Sequence, residues 1–414
     1  MSTVRDPWRL KLAIEKQLVQ PIEEISIINL IDLFVEYAYS VRASDIHLEP
    51  EAEAVRLRFR IDGLLKDVFE KVRIDKVLHQ ELISRIKVLA GLRTDEHFAP
   101  QDGRFKASIK DLGDIDVRVS IIPTYYGENA VMRLLAQTQT FSLEDLGFFS
   151  VDLERVHKAM KRSYGMILAN GPTGSGKTTT LYTILKTLNR PDTSIITIED
   201  PIEYSLPGTT QIQVNTQAGL TLANGLRSIL RQDPNVVMVG EIRDEETAAI
   251  AVNAALTGHL VLSTLHTNDA ATTFPRLIDM GIPPFLVSST VNVAMGQRLV
   301  RLICESCKEE RVLSDAEIKS IAEILPDLDQ NTKKFYIGKG CDVCNSTGYK
   351  GRIGVREVLE VNEEIQKLIM ARASGQEIKA AAVKNGMTTM VKDGLLKAMQ
   401  GITTIEEVLR IIQE

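Results

Sequence analysis

Hydrophobic positions change period along the chain, and the changes divide it. Between Ser26 and Ser40, Ile27, Ile28, Leu30, Ile31, Leu33 and Phe34 crowd together and predict a buried helix. Val55-Arg56-Leu57-Arg58-Phe59-Arg60-Ile61 alternates apolar with charged residues and runs into Asp62-Gly63, which predicts a half-buried strand entering a hairpin turn. Ile115–Ile121 alternates in the same way, and Glu81–Leu92 between them reads as a helix. Together these elements predict a small α+β domain over residues 26–135. A helical leader precedes it at 1–25, and a polar, aperiodic linker follows at 136–145. Alternation then gives way to short unbroken apolar runs at Met166–Ala169, Ser194–Ile198, Val236–Val239 and Leu260–Leu265, separated by helical stretches. That pattern predicts a mostly parallel α/β sheet over 146–301. A helix at Glu245–Leu256 has Asp244 as its N-cap and Gly258 just past its end. Residues 302–357 turn to cysteine, charge and glycine, and after Val361 two or three amphipathic helices complete 358–414.

Composition changes little in this picture. The 414 residues are 44% hydrophobic and 25% charged, ordinary for a globular chain with a large core. A net charge of −6 weighs against a nucleic-acid partner. No apolar run approaches the roughly twenty residues of a membrane helix, and Met1–Gln20 lacks the apolar stretch of a signal peptide. A cytoplasmic protein is expected, with membrane contact peripheral or through a partner. The basic residues Arg5, Arg9, Lys11 and Lys16 of the leader suit a solvated helix face better than a lipid contact.

The α/β region carries one stretch of specific chemistry. Gly171-Pro172-Thr173-Gly174-Ser175-Gly176-Lys177-Thr178 fits the spacing G-x-x-x-x-G-K-[ST] of a phosphate-binding loop. It follows the run Met166–Ala169 and leads into Thr179-Thr180-Leu181-Tyr182-Thr183-Ile184-Leu185, which reads as a helix opening at the loop. A chance glycine-rich turn would not supply the strand, the lysine and the threonine together. The glycines let backbone N–H groups turn inward around an anion, and the helix N-terminus adds partial positive charge. Residues Gly171 to Thr179 are the expected ATP-binding set, with Lys177 reaching the β- and γ-phosphates and Thr178 a ligand for Mg²⁺.

Two strand ends carry carboxylates. Val236–Val239 runs into Gly240-Glu241; the strand is expected beside the P-loop strand, with Glu241 facing the Mg²⁺ site although the usual aspartate is missing. The second is Ile198-Glu199-Asp200-Pro201-Ile202-Glu203. Ligand sites of open α/β sheets lie at the carboxyl ends of strands, and a carboxylate there can position an attacking water. One solvated acid at a strand end is commonplace, whereas two beside a P-loop point to catalysis. His259 and His266 bracket Leu260–Leu265 and cannot both sit at its carboxyl end. His266, with Thr267 and Asn268, is the expected sensor, and His259 a brace for the turn after Gly258.

Cys304-x-x-Cys307 and Cys341-x-x-Cys344 use all four cysteines. Each short loop brings two thiolates together, as tetrahedral Zn²⁺ requires. The 33 residues between the pairs exceed the about 15–20 of common ribbons, so inserted structure is expected. Disulfides are unexpected in a cytosolic protein, and a redox pair would not explain the duplication. The expectation is a structural zinc subdomain tying together a segment with little apolar content of its own.

With these motifs assembled, the sequence resembles the type II secretion and type IV pilus assembly ATPases, from about Ile28 to the C-terminus. Family motifs are matched by Ala43-Ser44-Asp45-Ile46-His47, Arg60-Ile61-Asp62-Gly63, Pro100-Gln101-Asp102-Gly103-Arg104 and the P-loop. The family's Asp box resembles Ile198–Tyr204, its unusual Walker B motif Val239–Asp244, and its His box Thr257–His259 through His266–Asp269. The four cysteines match the assembly and secretion branch; the similar pilus-retraction branch lacks them. The resemblance implies a RecA-like P-loop ATPase domain after a PAS-like α+β domain. It also implies a homohexamer on the cytoplasmic face of the inner membrane, driving an inner-membrane platform protein without direct nucleic-acid contact. ATP, Mg²⁺ and Zn²⁺ are the implied cofactors. Arg104, Arg118 and Arg133 are implied near the nucleotide, where guanidinium groups suit a γ-phosphate because they stay charged and bind oxygens in pairs. Glu203 is implied as the water-activating glutamate and Glu241 as the Walker B glutamate, so Lys177, Glu203, Glu241 and His266 form the expected catalytic set. A DNA-uptake or conjugation motor would share this fold. A nucleotide-gated scaffold with little hydrolysis is the non-enzyme alternative, which intact Lys177, Glu203 and Glu241 oppose. Longer members carry a further N-terminal domain for membrane docking or cyclic-dinucleotide binding, and little precedes the α+β domain here.

Overall fold

The computed structural model describes residues 6–69, 73–109, 113–135, 141–324 and 334–413. Residues 1–5 of the expected leader and 136–140 of the expected linker lie outside the described residues. The chain divides into two compact units, Met1–Gln139 and Thr140–Glu414.

The first unit contains α1 (Pro7–Leu18), α2 (Ile27–Ser40), β1 (Ala43–Pro50), β2 (Val55–Ile61), β3 (Leu64–Asp67), α3 (Lys76–Ala90), β4 (Gln101–Ile109), β5 (Gly113–Thr124) and β6 (Gly127–Leu135). Its six strands form one antiparallel sheet in the order β3-β2-β1-β6-β5-β4. The alternation seen in the sequence separates the two faces: Leu57, Phe59, Val117, Val119 and Ile121 are buried, and the polar residues between them line the other side. Leu30 and Phe34 of α2 and Leu82 and Ile86 of α3 are fully buried in the same core. On α1, Arg9 and Lys16 are exposed, as a solvated face requires. Leu10 and Ile14, however, join that core, so α1 is part of the unit and not a leader ahead of it. Helix α3 starts five residues before the expected Glu81 because Asp75 caps it, accepting the Val77 N–H at 2.7 Å. It ends at Gly91, in the left-handed conformation.

The second unit opens with α4 (Ser150–Met160), β7 (Gly165–Asn170), α5 (Lys177–Leu188), β8 (Ile195–Glu199), β9 (Thr210–Gln213), α6 (Leu222–Ile229), β10 (Val236–Val239), α7 (Glu245–Leu256) and β11 (Leu260–Leu265). It continues with α8 (Thr273–Asp279), α9 (Pro284–Thr290), β12 (Val291–Ile303), β13 (Lys308–Val312), α10 (Asp315–Ile324), β14 (Lys334–Gly338) and β15 (Tyr349–Glu360). It closes with α11 (Glu363–Met370), α12 (Gly375–Lys384), α13 (Met390–Met399) and α14 (Ile405–Gln413). Seven strands form a sheet in the order β15-β12-β7-β11-β10-β8-β9, parallel except for β15. Strands β7, β8, β10 and β11 are buried at every position, which is why they read as unbroken apolar runs. Strand β7, the glycine loop and α5 follow one another within a mostly parallel sheet, the arrangement expected of a RecA-like P-loop domain.

Three expectations are corrected here. Val236–Val239 does not lie beside the P-loop strand: β11 separates β10 from β7. A run buried on both faces can pair on either side, so the apolar pattern alone does not order the strands. Second, the cysteine segment is narrower than 302–357, because β15 pairs with β12 in the main sheet from Arg352 to Glu360. The insert consists of β13, α10 and β14, with β13 and β14 forming their own two-stranded sheet. It is not poor in apolar residues: Leu313, Ile318, Ile321 and Phe335 are buried together with Leu395, Ala398 and Val408 of α13 and α14. Third, four C-terminal helices replace the expected two or three. Asn362, Ser374 and Thr389 each accept a backbone N–H three residues on and so start a new helix.

Candidate nucleotide site and metal centre

Because β7, β11, β10 and β8 are parallel, Gly171, His266, Gly240 and Asp200 all leave the sheet at one edge. Gly171 turns the chain with φ 146°, where a Cβ would meet the Gln297 carbonyl at 2.5 Å and Ser175 Oγ at 2.6 Å. Gly176 begins α5 and offers its first turn no side-chain cap, leaving that turn to an anion. Ser175 Oγ is buried without a hydrogen-bond partner. Lys177 is buried and bends back on the loop, donating to the carbonyls of Gly171 at 2.7 Å and Pro172 at 2.9 Å. Burial pushes its pKa down to about 8, against the pull of Glu241 and with the push of Arg298. An orphaned hydroxyl, an uncapped helix start and a desolvated ammonium fit a polyphosphate.

That pKa gives a measurable consequence. A lysine partly neutral at pH ~8.5 recharges when phosphate arrives beside it, so binding takes up protons. Calorimetry in two buffers of different ionisation heat should find more proton uptake on ATP binding by the parent than by Lys177→Arg near pH ~8.5, and no difference near pH ~6.5. Equal uptake at both pH values would contradict the lysine–phosphate contact.

Sequence reasoning missed what holds the loop from behind. Gln297, fully buried on β12, donates to the Ser175 carbonyl at 2.7 Å and accepts from Thr180 Oγ1 at 2.9 Å. The signal was present as Gln297 and Arg298, polar residues in the middle of a mostly apolar strand.

At the acidic edge, Gly240 donates to the Ile198 carbonyl at 2.8 Å, and a Cβ there would press on Glu199 Cα at 3.3 Å. This close passage accounts for glycine where an aspartate is usual. One oxygen of Glu241 pairs with Arg243 and the other lies 3.1 Å from His266 Nε2. Asp200 is within electrostatic reach of Arg243. The structure thus gathers Lys177, Glu241 and His266, and adds Arg243, which stands inside the Walker B-like motif without having been singled out. His259 lies before β11, its Nδ1 3.0 Å from the Ala254 carbonyl. Thr178 is half-buried in the first turn of α5; its hydroxyl and the Glu241 carboxylate are hard oxygen donors of the kind Mg²⁺ takes. Glu203 stands in the loop after β8, its backbone N–H bonded to the Tyr182 hydroxyl.

In the first unit, register places Arg104, Arg118 and Arg133 directly opposite one another on β4, β5 and β6. The row continues through Asp45 on β1 to Arg60 on β2. Asp45 is buried, accepts from Arg133 Nε at 2.8 Å and from Ser44 Oγ at 2.8 Å, and pairs with Arg60 Nε at 3.2 Å. Burial raises its pKa, but the Arg133 and Ser44 bonds outweigh that and hold it below the usual carboxylate range.

The four cysteine sulfurs lie within 4.8 Å of one another. Sγ separations are 3.9 Å for Cys304–Cys341 and 3.8 Å for Cys307–Cys344 and Cys341–Cys344. A tetrahedron with Zn–S bonds of about 2.3 Å has edges of about 3.8 Å, so the spacing fits Zn²⁺ and is far from the S–S bond length of about 2.05 Å. Backbone N–H groups of Gly340, Cys341 and Gly348 point at Cys307 and Cys344 sulfurs at 3.2–3.3 Å, favouring thiolate.

Comparison with known proteins gives the family. The family described as "Type II/IV secretion system protein" matches residues 21–410. The chain is 46% identical over 398 residues to the type IV pilus assembly ATPase PilB of Thermus thermophilus, covering 95% of this chain and 44% of that protein. It is 45% identical over 392 residues to the type II secretion system protein E of Xanthomonas campestris pv. campestris, covering 94% of this chain and 68% of the relative. This chain therefore spans less than half of the first relative's length. Among solved structures, the pilus retraction motor PilT with bound ADP is similar at 27% identity and a TM-score of 0.63, covering 92% of this chain and 96% of that one. The Legionella pneumophila ATPase DotB shares the fold, at 22% identity, with a TM-score of 0.68 and coverage of 92% and 95%. No helix among the described residues is long and apolar enough to cross a membrane.

Proposed function

The chain belongs to the type II/IV secretion system protein family, and from that premise we propose that it is a homohexameric ATPase driving assembly of a type IV pilus or a type II secretion pseudopilus. The observation that carries the reading is the phosphate cradle, in which a buried lysine, an orphaned serine hydroxyl and an uncapped helix start converge. Residues Gly171 to Thr179 bind the phosphates, and Lys177 neutralises the β- and γ-oxygens. Thr178 and Glu241 would hold Mg²⁺, which when bound screens phosphate charge. Glu203 orients the attacking water and accepts its proton. His266 steadies Glu241 through their hydrogen bond. Cys304, Cys307, Cys341 and Cys344 hold a structural Zn²⁺. Subunit closure on ATP and opening after hydrolysis push a platform protein at the cytoplasmic face of the inner membrane.

Arg104, Arg118 and Arg133 belong to the unit that lacks the P-loop, so they can serve a neighbouring copy's γ-phosphate. An arginine supplied in this way can be worth ~10³–10⁵ in rate. Mixing inactive Lys177→Ala subunits with inactive Arg133→Ala subunits tests the arrangement, because some interfaces in the mixture then regain both groups. Activity should reappear in mixed oligomers. None recovered, with mixing proven by mass, would contradict action between subunits.

A further inference from the structure

Glu199 is the last residue of β8 and only 2% exposed, yet its three hydrogen-bond partners are neutral. Thr197 Oγ1 donates at 2.7 Å, Gln211 Nε2 lies at 3.3 Å, and the Tyr182 hydroxyl donates to the second carboxylate oxygen. Tyr182 is fully buried on α5, the helix that opens at the P-loop, and its hydroxyl also accepts the backbone N–H of Glu203. Gln211 donates to the Tyr204 carbonyl at 3.1 Å and accepts the Leu206 N–H at 2.7 Å. The Tyr204 ring meets Tyr182 edge-on, with centroids 4.5 Å apart. The loop bearing Glu203 is therefore gripped at residues 203, 204 and 206, and every grip leads back to Glu199.

We propose that Glu199, through Tyr182 and Gln211, is the positioning residue that fixes Glu203 against the nucleotide and couples its placement to the P-loop helix. The proposal rests on the reading of Glu203 as the water-activating group. A buried carboxylate is a costly core element, and an apolar pair could fill the same space. What an apolar pair could not supply is a hydroxyl held with its proton toward β8 and its lone pair toward the Glu203 N–H. Burial, reinforced by Glu199, pushes the hydroxyl of Tyr204 up to about 12 and that of Tyr182 in the same direction, so Tyr182 keeps its proton and remains a donor.

A kinetic double-mutant cycle separates positioning from packing. Single-turnover hydrolysis and nucleotide affinity are measured for Glu199→Gln, Glu203→Gln and the double variant. Glu199→Gln should lower the hydrolysis rate ~10-fold or more while leaving ATP affinity within ~3-fold, because only the loop is misplaced. Placed on Glu203→Gln, it should cost less than ~2-fold further, since there is no base left to position. Independent, multiplying losses, or lost ATP affinity, would overturn the proposal. Tyr182→Phe, which removes only the hydroxyl, should reproduce the pattern and decides the matter if Glu199→Gln does not fold. If Glu203→Gln alone hydrolyses like the parent, the underlying reading of Glu203 has failed and the positioning role falls with it.

Discussion

Glu203→Gln and Glu241→Gln should each bind ATP and hydrolyse it ~10²–10⁴-fold more slowly than the parent. Both substitutions keep shape and remove one negative charge, so the phosphate contacts of the loop survive. Their causes should differ. The Glu203 backbone N–H bonds the Tyr182 hydroxyl, and the substitution removes the proton acceptor. Glu241 holds Arg243 and His266 as well. Its amide would leave both without their carboxylate and remove an oxygen anion suited to Mg²⁺, so Glu241→Gln should also need more Mg²⁺ for half-maximal rate. Fluorescent-nucleotide binding with single-turnover hydrolysis separates the two effects. Binding lost in both variants would assign the glutamates a structural role instead.

The second large effect concerns the cysteines. The parent should contain one Zn²⁺ per chain, and Cys341→Ser should lose most of it. Metal binding of this kind contributes on the order of 10 kcal/mol to a small fold. The damage should be local but not confined to the insert. Leu313, Ile318, Ile321 and Phe335 share their core with α13 and α14, so the C-terminal helices should loosen with the cysteine segment. Helix α13 has a second anchor: buried Lys397 bonds Asp393 at 2.6 Å and the Gly354 carbonyl at 2.8 Å. Helix α14 is tied to the sheet as well, its buried Glu407 accepting the Arg301 N–H at 2.8 Å, so both helices should keep part of their structure. The P-loop follows β7, which β12 separates from β15, and it should still bind nucleotide. Elemental analysis and timed proteolysis read both parts. Less than about a tenth of a zinc per parent chain would reject the site, and simultaneous opening of β7–α5 would show that the metal supports the whole unit.

How much of this was legible in the sequence follows from the range of the interactions. Local rules placed β10, β11 and α7 at their observed limits, because unbroken apolar runs and an Asp244 cap act within a few residues. The P-loop and the cysteine pairs were legible because their chemistry needs fixed short spacings. Strand order was not, since β11 enters between β7 and β10 through pairings that leave no local mark. The arginine row was known only by resemblance; cross-strand register turns three residues from separate strands into one line. Gln297 was not singled out, and Glu199 was read only as one acid of a strand end. Their partners, Ser175 and Tyr182, lie on other elements.

The most direct measurement is Mg²⁺-dependent ATP hydrolysis by the purified oligomer, parent against Lys177→Ala. The buried ammonium on the carbonyls of Gly171 and Pro172 is the one cation inside the phosphate loop. Slow turnover in the parent and none in Lys177→Ala is the expected result. A parent that binds ATP without turning it over, or a Lys177→Ala variant that hydrolyses like the parent, would contradict the motor reading.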